Sequence, residues 1–335
     1  MVFPFFFVMG FLVVMGSLFS VSSVSWFGVW GGMEVNMLCF IPMVMYFSNF
    51  MGVESVVKYF LIQSFGSVGV LLGGLFEDSC FLDVFSLFFI LCFSLLLKVG
   101  VFPFHWWLPG VMGGLSWVGV LLLSTWQKVA PVFVFSGVSS MSMVLLIFCA
   151  FSSVVGGVGG MGQTSVRSVL AYSSIGHAGW FFSIFCMSWV FGFIYFFVYF
   201  VSTLFLIGLF WYFDYFWFTQ NFVSSFWGCV VMFVSVLTVA GVPPFFGFFT
   251  KVFVFMIFGS SFLGFIFLFV LIVGSLISLY FYMGLFFSVF FFFFCCLKNF
   301  SSKLLFYGVL FFAFFSLFGV LIFDYYFFFF YDILV

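Results

Sequence analysis

Residues 94–110 read SLLLKVGVFPFHWWLPG. Apolar side chains flank Lys98 on every side of the segment, so no face is left for water and the surrounding medium must itself be apolar. The whole chain reads the same way. Of its 335 residues 67% are hydrophobic and 4% charged, against roughly 25% charged in a soluble domain, so nothing is available to cover a water-facing surface. In lipid every backbone polar group must be satisfied within the chain, which leaves helices or a closed barrel. Barrel strands alternate apolar and polar residues, and this chain does not. The fold class is therefore all-α: a polytopic transmembrane helix bundle, one integral membrane domain over residues 1–335.

A span needs about 20 apolar residues. Gly/Ser/Pro clusters and the rare charges punctuate the apolar runs and predict eleven helices, at roughly 3–21, 25–48, 55–76, 84–108, 115–136, 138–158, 168–187, 189–212, 226–257, 261–288 and 304–323. Eleven crossings place Lys58, Arg167, Lys298 and Lys303 on the N-terminal face. Glu77, Asp78, Asp83, Asp324 and Asp332 fall on the other face. Basic residues accumulate on the inner side, which puts the N-terminus inside and the C-terminus outside. MVFPFFFVMG has no basic residue before its apolar run and resembles neither a secretory signal nor an Arg-rich transit peptide. The 71 phenylalanines suggest thymine-rich codons, as an organellar genome gives.

Net charge is −1 and no basic patch exists, so nucleic acid is excluded as a partner. The eight cysteines are scattered in apolar runs, Cys295 and Cys296 being the only adjacent pair; no C-x-x-C points to zinc or an iron–sulfur cluster. Two isolated histidines on different helices give little support to a haem. Gly157, Gly159 and Gly162 spell G-x-G-x-x-G, yet no strand precedes them, and the segment reads as a loop between helices. The glycosylation triplet at Asn299 falls on the inner face, where no glycosylation occurs.

Four of the fifteen charges stand inside apolar runs: Glu34, Lys98, Lys128 and Lys251. A charge at the bilayer centre costs from a few to more than ten kcal/mol, which marks such residues as functional candidates; the bland reading is a lysine that snorkels to the interface. Gly100 and Pro103 follow Lys98, and Gly241, Pro243 and Pro244 precede Lys251. Proline removes an amide donor and clashes one turn back, so two discontinuous helices are expected, with freed carbonyls tolerated only against protein or a hydrated cavity. In such an interior a neighbouring carboxylate can toggle a lysine's protonation, since a contact pair at an effective dielectric near 20 is worth about 4 kcal/mol. His105 and His177 are auxiliary candidates for proton relay.

GGMEVNMLCFIP (31–42), ESVVKYFLIQSFGS (54–67), LLLKVGVFPFHWWLP (95–109), LLSTWQKVAP (122–131), GGMGQTSVRSVLAYSSIGHAGW (159–180) and GVPPFFGFFTK (241–251) resemble, in order, the segments of the antiporter-like membrane subunits of respiratory complex I, in their subunit 2 form. The resemblance implies a fold of two inverted five-helix repeats with matching broken helices. The eleven spans are similar to the animal mitochondrial form. It further implies Glu34 and Lys98 as the charge pair of a first half-channel, Lys128 as a central relay and Lys251 in the far half-channel. Gly162 and Ser168 depart from the family pattern, and little motif remains after about residue 255.

Implied too is a proton-translocating subunit of NADH:ubiquinone oxidoreductase in the mitochondrial inner membrane. It would carry no cofactor itself, with flavin and iron–sulfur clusters in partner subunits, and would touch other complex I membrane subunits, neighbouring antiporter-like subunits included, and lipids. Two competitors stand beside that expectation: a stand-alone cation/proton antiporter of the same fold, and a structural membrane spacer.

Overall fold

The computed structural model describes residues 2–46, 50–79, 84–138, 143–218, 220, 226–243, 245–259 and 262–296. The expected span at 304–323 lies outside these residues, as do Asp83, Pro244, Lys298, the triplet at Asn299, Lys303, Asp324 and Asp332.

Thirteen helices fill the described residues: α1 (Val2–Ser22), α2 (Trp26–Met45), α3 (Phe50–Ser79), α4 (Val84–Val99), α5 (Trp107–Gly114), α6 (Trp117–Ser124), α7 (Trp126–Val138), α8 (Met143–Gly160), α9 (Val166–Phe185), α10 (Trp189–Tyr212), α11 (Phe226–Ala240), α12 (Phe246–Phe258) and α13 (Phe262–Cys296). Seven stretches are long and apolar enough to cross a membrane, α6 and α7 counting together as one. Two more crossings are made in pieces, α4 with α5 and α11 with α12. The tenth is α9, whose serines and histidine make it too polar to face lipid. Sixteen of its 20 residues are buried, because it packs against α5, α8, α10 and α13 rather than against lipid. Its neighbours supply the apolar shell that its own sequence lacks.

Side-chain contacts confirm the up-and-down order. The Arg167 guanidinium, at the start of α9, donates to the Leu115 carbonyl in the α5–α6 join and lies over the Trp117 and Phe216 rings at 5.6 and 4.8 Å. Val166 N–H donates to Phe216 O at 3.0 Å, and the Tyr215 hydroxyl meets Ser288 Oγ of α13 at 2.9 Å. The joins after α5, α8 and α10 thus share one face, as an alternating bundle requires.

Both predicted breaks are present, and they are built alike. Gly100 and Gly241 adopt φ of +81° and +70°, a conformation that only glycine takes without steric cost. Gly100 N–H bonds Leu96 O and Leu97 O, Val101 N–H bonds Leu96 O, and Phe104 N–H bonds Val101 O. At the second break Gly241 N–H bonds Leu237 O and Thr238 O, Val242 N–H bonds Leu237 O, and Phe245 N–H bonds Val242 O. Each is a helix end closed by a glycine in the Schellman manner, and each falls in the fourth crossing of a set of five. Five crossings return the chain to the opposite face, so the second set repeats the first upside down.

Several helix boundaries differ from those expected, α3 beginning at Phe50 and α13 running on to Cys296. The fourth span, expected over 84–108 with its break, is α4 to Val99 and α5 from Trp107 to Gly114, with seven residues between them. The helix expected over 115–136 is divided at Thr125: Lys128 N–H bonds Thr125 O at 3.3 Å rather than the carbonyl one residue earlier, and Pro131 has no amide hydrogen to donate. Gly157 and Gly159 lie within α8, not in a loop. At Gly157 an added Cβ would come 2.8 Å from Gly274 O, so the glycine serves close α8–α13 packing, and only Gly162, at φ +84°, turns the chain.

Candidate functional site

Lys98, Lys128 and Lys251 are all buried, at 8%, 3% and 8% exposure. None reaches lipid or the interface as a snorkelling lysine would. The ammonium of Lys128 is held by a carbonyl and a hydroxyl from neighbouring helices, that of Lys251 by a carbonyl at its own helix break, and that of Lys98 meets a thioether.

Lys98 closes α4, and its stem runs over Gly66 of α3, where an added Cβ would lie 2.8 Å from Lys98 Cγ. Its Nζ meets Met33 Sδ at 3.3 Å, a soft contact that leaves the ammonium short of strong acceptors. The backbone carbonyl of Lys98, freed by the break, accepts from Gln63 Nε2 at 3.0 Å, while Trp107 Nε1 donates to Leu97 O at 3.2 Å. Glu34 is half-buried on α2, next in sequence to Met33, whose sulfur meets the Lys98 ammonium. Direct contact between the two is not formed: among the described residues the one ion pair within 4 Å is Lys58–Glu54, exposed in the first turns of α3. The expected Glu34–Lys98 ion pair is therefore not formed.

Lys128 sits just past the interruption at Thr125. Its Nζ donates to Ser174 O at 3.2 Å and to the Tyr199 hydroxyl at 3.3 Å. That hydroxyl donates onward to Ser124 O at 3.2 Å, the carbonyl the interruption released. Ahead of it Gln127 joins a second group, accepting from the Tyr59 hydroxyl at 3.3 Å and donating to Asn36 Oδ1 at 2.9 Å.

Lys251 lies on α12, beyond its break. Its Nζ turns back and donates to Ala240 O at 2.9 Å, the last residue of α11, with the Trp180 ring 5.8 Å away. The ammonium thus caps the negative end of α11's dipole.

His177 joins the two halves of this arrangement. Its Nδ1 meets the Tyr195 hydroxyl at 3.1 Å, and its ring lies against that of Tyr199, the partner of Lys128, with centroids 5.3 Å apart. Ser173, Gly176, His177, Trp180, Ala240 and Lys251 face a cavity of about 10 Å³, room for roughly one water. His105 stands apart. It is 6% exposed, stacked between Phe102 and Trp106 with ring centroids at 6.0 and 4.8 Å, and its Nδ1 has no partner.

The structure therefore brings Lys128, His177 and Lys251 together, sets Lys98 and Glu34 at the near end, and leaves His105 to the side. Sequence reading missed Asn36, Tyr59, Gln63, Gln127, Tyr195 and Tyr199. Tyr59 with Gln63, and Tyr195 with Tyr199, are four residues apart on one helix face, a polar spacing that could have been noticed. Among the described residues no three His, Cys, Asp or Glu side chains converge as a metal site.

Comparison with known proteins gives a consistent picture. The family model described as NADH:quinone oxidoreductase/Mrp antiporter, TM, matches residues 78–278. NADH-ubiquinone oxidoreductase chain 2 of Locusta migratoria is 36% identical over 251 residues, 71% of this chain and 72% of that one. The protein of the same name from Anopheles gambiae is 34% identical over 291 residues, 83% and 84% of the two chains. Among solved structures, a chain of respiratory complex I from Thermus thermophilus with bound aureothin superposes with a TM-score of 0.71 at 22% identity, over 85% of this chain and 70% of that one.

Proposed function

The chain belongs to the NADH-ubiquinone oxidoreductase chain 2 family, and from that premise we propose that it is a proton-translocating membrane subunit of NADH:ubiquinone oxidoreductase. Protons would move along Glu34, Lys98, Lys128, His177 and Lys251, driven by electron transfer in other subunits. The flavin and iron–sulfur clusters would be held by those partners, and other membrane subunits of the complex, neighbouring antiporter-like chains included, would flank this one. The membrane would be the mitochondrial inner membrane, with the N-terminus on the matrix side and the C-terminus in the intermembrane space. The whole chain would act as one membrane domain.

The observation that carries the reading is the seating of Lys128. Its ammonium is buried mid-bundle between a backbone carbonyl and a tyrosine hydroxyl, and among the described residues no carboxylate pairs with it within 4 Å. A charge held by neutral dipoles alone can lose its proton without leaving a buried anion behind, as a relay station must. A purely structural lysine would be expected to carry an acidic partner.

In the assembled complex of a genetically tractable relative, Lys128→Met and Lys98→Met should each leave assembly intact and depress coupled NADH oxidation strongly. Normal proton yield per NADH in both variants would defeat the reading and favour a spacer. A chain that, isolated in liposomes, exchanges sodium for protons would instead favour the stand-alone antiporter.

A further inference from the structure

We propose that the Tyr282 hydroxyl is a second seat for the Lys251 ammonium, which moves between it and the Ala240 carbonyl during turnover. The inference rests on the translocation reading above and adds a positioning residue to it. Tyr282 lies on α13 and is 2% exposed, yet its hydroxyl has no hydrogen-bond partner. Such a group is costly, because burial takes away its bonds to water and nothing replaces them. Ser275, Ser278 and Tyr282 stand at helical spacing on one face of α13, and that face walls the cavity onto which His177 and Lys251 open. Close packing fixes its place: a Cβ added at Gly274 would come 2.5 Å from the Ser153 backbone of α8.

The cavity wall limits what can pair with this hydroxyl. Ser153, Ser173, Ser275 and Ser278 each donate to the carbonyl three residues back, at 2.7, 2.8, 2.9 and 2.9 Å. They can accept the Tyr282 hydrogen but have none to offer its oxygen. Three side-chain donors remain on the wall: the His177 ring, the Trp180 indole and the Lys251 ammonium. The two rings are held in place, His177 by the Tyr195 hydroxyl at 3.1 Å and Trp180, 2% exposed, edge-on to Phe255. Lys251 carries three N–H donors on a flexible four-carbon stem, and one of them is engaged at Ala240 O. Lys128 shows the completed arrangement, its ammonium on a backbone carbonyl and a tyrosine hydroxyl at once. Lys251 has the carbonyl, and its tyrosine stands on the wall of the same cavity of about 10 Å³. Moving to the hydroxyl releases Ala240 O, and with it the tie between the two halves of the broken span.

The assembled complex of a tractable relative allows the test. A density map recorded during NADH turnover should show Lys251 Nζ at the Tyr282 hydroxyl in a class of particles that is rare without NADH. Lys251 at Ala240 O in every class would overturn the proposal. Tyr282→Phe deletes only an unpaired hydroxyl, so assembly and thermal inactivation temperature should hold while the protons moved per NADH fall several-fold. Gly176→Ala, whose added Cβ comes no nearer than 4.0 Å to Ser153 O, puts a methyl into the cavity and should lower the yield likewise. A normal proton yield in either variant overturns the proposal, as does failed assembly of Tyr282→Phe, which would make the hydroxyl a helix contact. Intact pumping in Lys251→Met, beside a wild-type map showing both seats, would instead sink the translocation reading and leave the two seats standing.

Discussion

Lys251 Nζ donates to the Ala240 carbonyl at 2.9 Å, so the ammonium on the second half of a broken span caps the end of its first half. Charge and helix break are one construction here. Losing the proton, or the side chain, removes a charged donor from a carbonyl at membrane depth. Lys251→Met should therefore do two things: abolish most coupled pumping, and destabilise the subunit by about 1–3 kcal/mol, the cost of leaving a buried acceptor unsatisfied. The thermal inactivation temperature of the complex, read beside proton yield, checks both. A variant that pumps poorly at unchanged stability would show that the Ala240 contact is incidental.

Gly66 makes room for the Lys98 stem. Gly66→Val adds a branched side chain against Lys98 Cγ, and overpacking of this kind costs roughly 1–3 kcal/mol. The flexible lysine, rather than the α3 backbone, is expected to give way, moving its ammonium off Met33. Coupled NADH oxidation should fall several-fold with assembly retained, and unaltered kinetics would show that the seat of Lys98 is not critical.

Gln63 satisfies the carbonyl that the first break exposes. Gln63→Leu keeps the size and removes the donor, leaving Lys98 O bare at a cost of about 1–3 kcal/mol. Faster proteolysis or lower thermal stability of the assembled subunit is the expected readout. Gln63→Glu, which also lacks the amide donor when ionised, should not rescue it.

The Tyr199 hydroxyl accepts from Lys128 Nζ and donates its own hydrogen to Ser124 O. Tyr199→Phe keeps the ring, which lies 5.2 Å from Lys128 Nζ, and deletes the hydroxyl. Pumping should fall, by less than in Lys128→Met because Ser174 O remains as an acceptor. Measuring initial rates of NADH-driven proton release for both variants ranks them; equal or reversed losses would contradict the assigned geometry.

Much of this was open to reading in one dimension. Composition alone forced a lipid-embedded helical bundle, because 4% charge cannot cover a surface in water. Glycine and proline beside Lys98 and before Lys251 announced the two breaks, since each acts on its own backbone, and GVFPF at 100–104 against GVPPF at 241–245 even spelled their kinship. The three lysines stood out by the same local logic: a charge in an apolar run is costly wherever the run folds.

What the linear order could not decide was which group faces which. Glu34 and Lys98 read as a pair but form no ion pair, and Met33 Sδ stands at the ammonium. His105 and His177 looked equivalent, yet only His177 shares a cavity with Lys251 and packs against the ring of Tyr199, which holds Lys128. The interruption at Thr125 carries neither glycine nor proline at its own position, and shows only once the Tyr199 hydroxyl from α10 is seen to take the released Ser124 carbonyl. Partners such as Gln63 and Tyr199 come from helices 35 and 71 residues away in sequence. Propensity and burial cost act residue by residue and are written in the sequence; hydrogen bonds between helices depend on rotation and depth, which packing alone fixes.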